Sequence, residues 1–147
     1  MTSRCGSLRA ATQSPGSAEA AVVRILIAED EEPVRTLVTR ALTEEGHVVV
    51  VATDGAEALD TLQSQDGGFE LLLADIKMPV MDGIALALAV ARDFPKLPIV
   101  LMTGYADQRE RVSGLEALIV DVIAKPFALA EIKFAVASAL AKGKRPP

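Results

Sequence analysis

The sequence predicts an α/β fold in which five parallel strands, each followed by a helix, form one open, doubly wound sheet. Short apolar, β-branched runs alternate along the chain with segments whose apolar residues recur at helical spacing. The strand runs are continuously apolar, which is typical of parallel strands that helices cover on both faces. Five such units are too few for a closed eight-stranded barrel, so the functional crevice is expected at the carboxyl ends of the strands.

The five strands are predicted where Val, Ile, Leu and Ala cluster between polar or turn-forming residues. The first is bounded by acidic residues, and the third follows an Asp-Gly-Gly turn. The predicted strands are Arg24–Ala28, His47–Ala52, Phe69–Ala74, Pro98–Met102 and Ala117–Ala124.

The helices are predicted from apolar residues three and four apart, together with start and stop signals. Pro33 suits the first turn of the first helix and Gly46 its end, and Asp54 can cap the second. The fourth helix has the weakest pattern. The predicted helices are Glu31–Glu45, the segment that follows Asp54 and ends before Asp66, Ile84–Phe94, Asp107–Leu115 and Phe127–Leu140.

Length and composition indicate one globular domain. The chain has 147 residues, half of them apolar, and aromatic residues are scarce, so the core must be aliphatic. The net charge of −5 argues against a nucleic-acid partner. The single cysteine, Cys5, cannot form an internal disulfide, and no apolar run approaches the roughly 18 residues of a membrane helix. The expected location is the cytoplasm, with no membrane partner.

The expected organisation is a folded unit between two tails. Residues 1–22 are small and polar and predict a disordered N-terminal tail, or a start site placed too early. Residues 23–141 form the predicted domain, and residues 142–147 a basic C-terminal tail. Since few residues follow Leu140, no output domain is expected after the folded unit.

Four of the five strands end in residues that carry chemistry. Glu29 and Asp30 follow the first strand, Asp75 the third, Thr103 the fourth and Lys125 the fifth. Because the carboxyl ends of parallel strands meet at one edge of the sheet, these side chains are expected to converge there.

Three neighbouring carboxylates oppose joint ionisation, and a bound Mg²⁺ relieves that repulsion. Glu29 and Asp30 would hold the ion, directly or through water, and Asp75 would both touch the metal and attack a phosphoryl donor. Lys125 and Thr103 would then stabilise the phosphoryl oxygens. Taken singly, each residue also has an ordinary interpretation; the acidic cluster, for example, is typical of a solvated helix start.

These residues resemble the receiver domain of two-component response regulators. The matching segments begin at Arg24, Leu73, Val100 and Ala124, and they include Glu29-Asp30, Asp75 with Met78-Pro79 and Asp82-Gly83, Thr103-Gly104 and Lys125-Pro126. The resemblance covers Arg24 to about Leu140 in the family's order and spacing. It implies a flavodoxin-like fold.

The resemblance also implies a backbone conformation, a further metal ligand, a phosphoryl donor and an activity. The Lys125-Pro126 bond is expected to be cis, and the main-chain carbonyl of Lys77 to complete the Mg²⁺ shell. The phosphoryl donor would be a sensor histidine kinase or a histidine phosphotransfer protein. The domain would be a monomer or weak dimer, and it would catalyse only its own phosphorylation and dephosphorylation.

Two positions depart from the family's common pattern. Val122 stands where many members place an aromatic switch residue, and Tyr105 is the nearest aromatic that could replace it or simply line the rim of the site. Lys77 and Tyr105 also flank the path of attacking water in this family. Two long side chains there predict a phosphorylated form that lasts minutes or longer.

Among receivers, the segments Leu101–Arg111 and Asp121–Phe127 look most like the single-domain CpdR type of alphaproteobacteria. That likeness implies a role in cell-cycle phosphorelays, in which the unphosphorylated protein primes the ClpXP protease. A phosphate sink or relay intermediate is the main alternative, and a degenerate receiver that binds partners without phosphorylation is weaker. A haloacid-dehalogenase-type phosphohydrolase is disfavoured, because Lys77 stands where such enzymes need a second acid.

Overall fold

The computed structural model describes residues 23–66, 68–104 and 111–142, which contain one parallel sheet and the helices packed on it. Its strands are β1 (Arg24–Ala28), β2 (Val48–Ala52), β3 (Leu71–Asp75), β4 (Ile99–Thr103) and β5 (Asp121–Ala124). The helices of the described residues are α1 (Glu32–Glu44), α2 (Gly55–Ser64), α3 (Gly83–Asp93) and α4 (Leu129–Lys142).

The strands lie in the order β2-β1-β3-β4-β5, and every neighbouring pair is parallel. The chain therefore moves outward from β1 to β2, returns to β3 beside β1, and continues in the opposite direction. In open α/β sheets the crevice lies at the strand ends where the direction reverses. The predicted doubly wound, flavodoxin-like fold is confirmed.

Two aliphatic clusters lie on opposite faces of the sheet, because alternate residues of a strand point to opposite sides. One cluster joins Leu26, Leu72 and Leu101 of the sheet to apolar residues of α2 and α3. The other joins Ile27, Leu73 and further strand residues to α1 and α4. The scarcity of aromatic residues is thus met by a core of Leu, Ile, Val and Ala.

The residues predicted to start and end the helices lie at the helix ends in the structure. The carboxylate of Asp54 accepts a hydrogen bond from the backbone N–H of Glu57 at 2.8 Å, which caps α2. Pro33 lies in the first turn of α1, and Gly46 has a φ of +88°, which suits glycine just after a helix. α3 begins one residue earlier than predicted, since Asp82 caps it by accepting from Ala85 N–H at 2.9 Å.

The expectation that the strands are buried on both faces is wrong for β2. Val48 and Val51 are 47% and 42% exposed, because β2 lies at the edge of the sheet. β5 is four residues long, whereas the predicted strand began at Ala117. Residues 116–118 form a turn instead, and pairing with β4 begins only where Asp121 meets Val100.

Several predictions fall on residues that the structure does not describe. They are the N-terminal tail with Cys5, residues 143–147 of the C-terminal tail, Tyr105, and the first part of the helix predicted over Asp107–Leu115. Lys142, assigned to the tail from the sequence, is the last residue of α4. Within the described segments, no helix has the length and apolar character needed to cross a membrane.

Candidate functional site

The strand register brings the predicted residues to one edge of the sheet. Ala28 pairs with Ala74, so Glu29, the next residue after β1, lies beside Asp75, the last residue of β3. On the other side Asp75 pairs with Met102, one residue before Thr103. Parallel pairing without a break is therefore sufficient to place these side chains around one crevice.

Three carboxylates converge in that crevice. Oxygen atoms of Glu29, Asp30 and Asp75 all lie within 4.8 Å of one another. Glu29 is completely buried and Asp75 is 4% exposed, whereas Asp30 is exposed to solvent. The cluster thus combines two acids held inside the fold with a third at its surface.

Lys125 neutralises part of this charge from the end of β5. Its Nζ lies 3.0 Å from Oε1 of Glu29 and 3.1 Å from Oδ2 of Asp75. Its backbone N–H donates to the carbonyl of Thr103 at 2.8 Å, which fixes the lysine beside β4. The Lys125-Pro126 peptide bond is cis, as expected from the resemblance.

Burial raises the pKa values of the two inner acids. Burial, with repulsion from Asp75, raises the pKa of Glu29 to about 7, although the Glu31 N–H and Lys125 act against it. Burial also raises the pKa of Asp75, against the attraction of Lys125. Burial by itself would lower the pKa of Lys125, but Glu29 and Asp75 outweigh it, and that pKa is raised.

The donor set fits a hard divalent cation. Oε2 of Glu29 accepts from Glu31 N–H at 3.0 Å, whereas Oε1 has the ion pair with Lys125 but no directed hydrogen bond among the described residues. A buried carboxylate oxygen without a hydrogen bond is costly unless a cation completes its shell. Glu29, Asp30 and Asp75 would supply the few carboxylate oxygens that Mg²⁺ prefers.

The loop after Asp75 folds tightly against the strand that carries it. Gly83 N–H donates to the carbonyl of Ile76 at 2.8 Å, and a Cβ at Gly83 would collide with the carbonyl of Asp75. Val80 at the tip has a φ of +66° and is 83% exposed. Only glycine therefore fits at position 83 without moving the backbone of Asp75.

The crevice opens to solvent as a pocket of about 390 Å³. Lys77 lines it, as does Gly104, which follows β4 directly. Thr103 is 1% exposed at the end of that strand. The structure thus brings the predicted Glu29, Asp30, Asp75 and Lys125 together, with Lys77 at the pocket wall and Thr103 at the adjoining strand end.

A family comparison matches this arrangement. The description "Response regulator receiver domain" matches residues 25–137. The chain belongs to the response regulator receiver family. The match includes all of the described strands and helices except Arg24 of β1 and residues 138–142 of α4. The resemblance inferred from the strand-end residues is therefore confirmed at the level of the family.

The curated relatives that match this chain are longer than the matched segment. The response regulator MprA of Mycobacterium tuberculosis is 38% identical over 110 residues, which are 75% of this chain and 47% of MprA. The transcriptional regulatory protein TcrA of the same organism is 36% identical over 143 residues, which are 93% of this chain and 55% of TcrA. The chain thus spans about half the length of these relatives.

Solved receiver structures share the fold. The receiver domain of NtrX from Brucella abortus is 30% identical with a TM-score of 0.73, covering 81% of this chain and 99% of that one. The response regulator TrrA from Thermotoga maritima, solved in complex with Mg²⁺-BeF, is 30% identical with a TM-score of 0.72. That match covers 80% of this chain and 99% of TrrA.

Some contacts at the site were not predicted from the sequence. Glu31 lines the pocket and places Oε1 3.5 Å from Nζ of Lys125. Asp82, besides capping α3, forms an ion pair with Arg111 at 2.6 Å. Both depend on side-chain directions across separate elements, for which the sequence carries no periodic signal. Val122, at the position of the missing aromatic switch, packs partly buried against the core.

Proposed function

We propose that the chain is a phosphorylation switch whose phosphoacceptor is Asp75, working in a two-component phosphorelay with Mg²⁺ as cofactor. The observation that carries this proposal is the ion pair between Lys125 and Asp75 inside a cluster of three carboxylates. A structural ion pair would not need two further acids beside it, whereas phosphoryl transfer needs both a cation site and a lysine.

The roles of the residues follow from these positions. A carboxylate oxygen of Asp75 attacks phosphorus and forms a P–O bond, while the P–N bond of a phosphohistidine donor breaks and its electron pair returns to the imidazole nitrogen. Lys125 then shifts from the carboxylate to a phosphoryl oxygen, and the Thr103 hydroxyl donates to another. Glu29, Asp30 and Asp75 would hold Mg²⁺, together with the carbonyl of Lys77 that the resemblance implies, and the ion neutralises phosphoryl charge when bound.

The partners in this proposal are a sensor histidine kinase or a histidine phosphotransfer protein as donor, in the cytoplasm. The chain itself would catalyse only its own phosphorylation and dephosphorylation. TrrA, which shares this fold, was solved in complex with Mg²⁺-BeF, and this chain carries a cluster of three carboxylates that fits such an ion. Both observations support Mg²⁺ as the choice of ion.

The test is incubation of the purified protein with acetyl phosphate and Mg²⁺, followed by intact-mass measurement. We expect a gain of one phosphoryl group, which is lost when EDTA is present and is absent in Asp75→Ala. Asp60→Ala, which removes a carboxylate from α2 away from the site, is the matched control and should keep the gain. An unmodified wild-type mass with Mg²⁺ present would contradict the proposal.

We propose that the output is a protein contact on the face of α4, with ClpXP in a CpdR-like, cell-cycle role as the specific candidate. Phe134 is 75% exposed on α4, and Ala130, Ala137 and Ala141 are exposed on the same side of the helix. An apolar stripe open to solvent is typical of an interaction site. A phosphate sink or relay intermediate, which needs no such contact, remains the alternative.

The output is tested by co-purification with the non-phosphorylatable Asp75→Ala protein. An adaptor should retain the protease, and Phe134→Ala in that background should release it; a sink should retain only its kinase.

The expectation that nucleic acid is not a partner stays a prediction, because TcrA is named a transcriptional regulatory protein and this chain spans 55% of it.

A further inference from the structure

The acidic residue just outside the carboxylate cluster takes part in the environment of the lysine. Oε1 of Glu31 lies 3.5 Å from Nζ of Lys125, so the ammonium has three carboxylates around it, those of Glu29, Asp75 and Glu31. Glu31 is the outermost of the three, with its side chain 61% exposed, and it lines the mouth of the pocket.

The side chain of Glu31 makes no capping hydrogen bond to the helix that it precedes. Glu31 occupies the N-cap position of α1 but makes no side-chain capping bond there, unlike Asp54 and Asp82 at the next two helices. Its backbone already serves the fold, since its carbonyl accepts from Arg35 N–H and its N–H donates to Glu29. The carboxylate is left to act at the pocket.

We propose that Glu31 is a specificity-determining residue, which slows phosphorylation of Asp75 by free anionic phosphodonors. A negative charge at the mouth of a pocket repels an approaching anion, and charges that line a cleft change association rates by large factors. The same carboxylate also competes with the incoming phosphoryl oxygens for Nζ of Lys125. This inference rests on the phosphorylation of Asp75 proposed above.

Two small phosphodonors that differ in net charge test for repulsion by the Glu31 carboxylate. Acetyl phosphate is a dianion at pH 7, and its transfer forms the Asp75 O–P bond while the P–O bond to the acetyl group breaks and acetate leaves with the electron pair. Phosphoramidate carries a protonated nitrogen and hence less net negative charge; its P–N bond breaks and ammonia leaves with the electron pair. A repelling charge should therefore act more strongly on acetyl phosphate.

The experiment compares Glu31→Gln with Glu32→Gln, the neighbouring acid on α1, which makes the same change in net charge but does not contact Lys125. With acetyl phosphate at low salt, we expect Glu31→Gln to raise the phosphorylation rate about threefold to tenfold. With phosphoramidate the increase should be less than about twofold, and about 0.5 M salt should remove the difference between the donors. Glu32→Gln should stay within about twofold of wild type with either donor.

Glu31→Ala separates charge from contact, because glutamine keeps an oxygen that can accept from Lys125 and alanine does not. In both variants, the increase in phosphorylation rate over wild type should be larger with acetyl phosphate than with phosphoramidate, and by the same factor. Equal acceleration with both donors, or no difference between Glu31→Gln and Glu32→Gln, would overturn the inference. If wild type is not phosphorylated by either donor, the proposed function itself fails and the inference falls with it, which is a distinguishable result.

Discussion

Lys77 stands two positions after Asp75, the proposed phosphoacceptor, and both residues line the same pocket. Lys77 is exposed, so its long side chain lies where the pocket meets the solvent. Water that hydrolyses an aspartyl phosphate attacks phosphorus opposite the carboxylate oxygen, and the resemblance to receiver domains implies that this path runs past position 77. We therefore expect the side chain at position 77 to affect how long a phosphoryl group stays on Asp75.

We expect the phosphorylated wild-type protein to last minutes or longer in Mg²⁺, because Lys77 hinders the attacking water. Lys77→Ala should shorten this lifetime about threefold or more, since it opens the path for water. The measurement is the decay of the phosphorylated mass after the donor is removed. Lys96→Ala, which truncates an exposed lysine in the turn before β4, is the control and should leave the decay unchanged.

A wild-type lifetime of seconds would contradict this prediction. Equal decay of Lys77→Ala and Lys96→Ala would show instead that the lifetime is set elsewhere at the site.

At the scale of elements, the sequence was sufficient to predict the strand ends and hence most of the site. Asp75 and Thr103 each end an apolar run, and Glu29 and Lys125 each follow one, so their approximate places depend only on the period of the pattern. Contacts between loops were not predictable, because no period relates residues as far apart as Glu31 and Lys125. The start of β5 was misplaced for a similar reason: apolar residues before Asp121 are compatible with either a strand or a turn.

The start of α3 illustrates such a contact and gives a second prediction. The carboxylate of Asp82 caps the helix and also accepts from Arg111, which lies 29 residues later. Burial by itself would raise the pKa of Asp82, but the N–H of Ala85 and Arg111 outweigh it and the pKa is lowered. One side chain thus links the loop after Asp75 to the segment after β4.

Asp82→Ala should lower the free energy of unfolding by about 1–2 kcal/mol, of which about 1 is the lost cap and the rest the exposed ion pair. Asp54→Ala, which loses only a cap of α2, should cost about 1 kcal/mol. Arg111→Ala should cost less than about 1 kcal/mol. Urea unfolding measures all three, and an Asp82→Ala protein no less stable than Arg111→Ala would contradict the proposed cap.

Across the whole molecule, the aliphatic core stabilises the fold, whereas the buried acids of the candidate site lower the free energy of unfolding. The two aliphatic clusters bury nearly all of β1, β3 and β4, whereas the acids at the ends of these strands are buried with only one lysine between them. Burying a second acid beside Asp75 is costly, and removing that cost would require removing the proposed cation site. The fold therefore tolerates a destabilising cluster that only a bound cation or a phosphoryl group makes useful.

This conflict predicts how stability depends on pH and on Mg²⁺. The folded-state pKa of Glu29 is about 7 against an ordinary value of 4.5, so between these pH values the folded protein holds a proton that the unfolded chain releases. Without metal, the site's contribution to the free energy of unfolding therefore falls as pH rises from about 4.5 to 7, by on the order of 2 kcal/mol. The raised pKa of Asp75 acts in the same direction.

The proposed Mg²⁺ would bind the ionised carboxylates and so compete with that proton. We expect saturating Mg²⁺ to raise the unfolding temperature clearly at pH 8, where a concentration of about 100 times Kd contributes about 2.7 kcal/mol, and much less at pH 5.5. Thermal unfolding at both pH values, with Mg²⁺ or with EDTA, makes the measurement. Glu29→Gln, which cannot ionise, should flatten the pH dependence in EDTA and reduce the Mg²⁺ effect at pH 8. Glu70→Gln, directly before β3 at the opposite end of the sheet from the site, should do neither. A Mg²⁺ effect of equal size at both pH values would show that no buried acid titrates in the site, because proton and metal would then not compete.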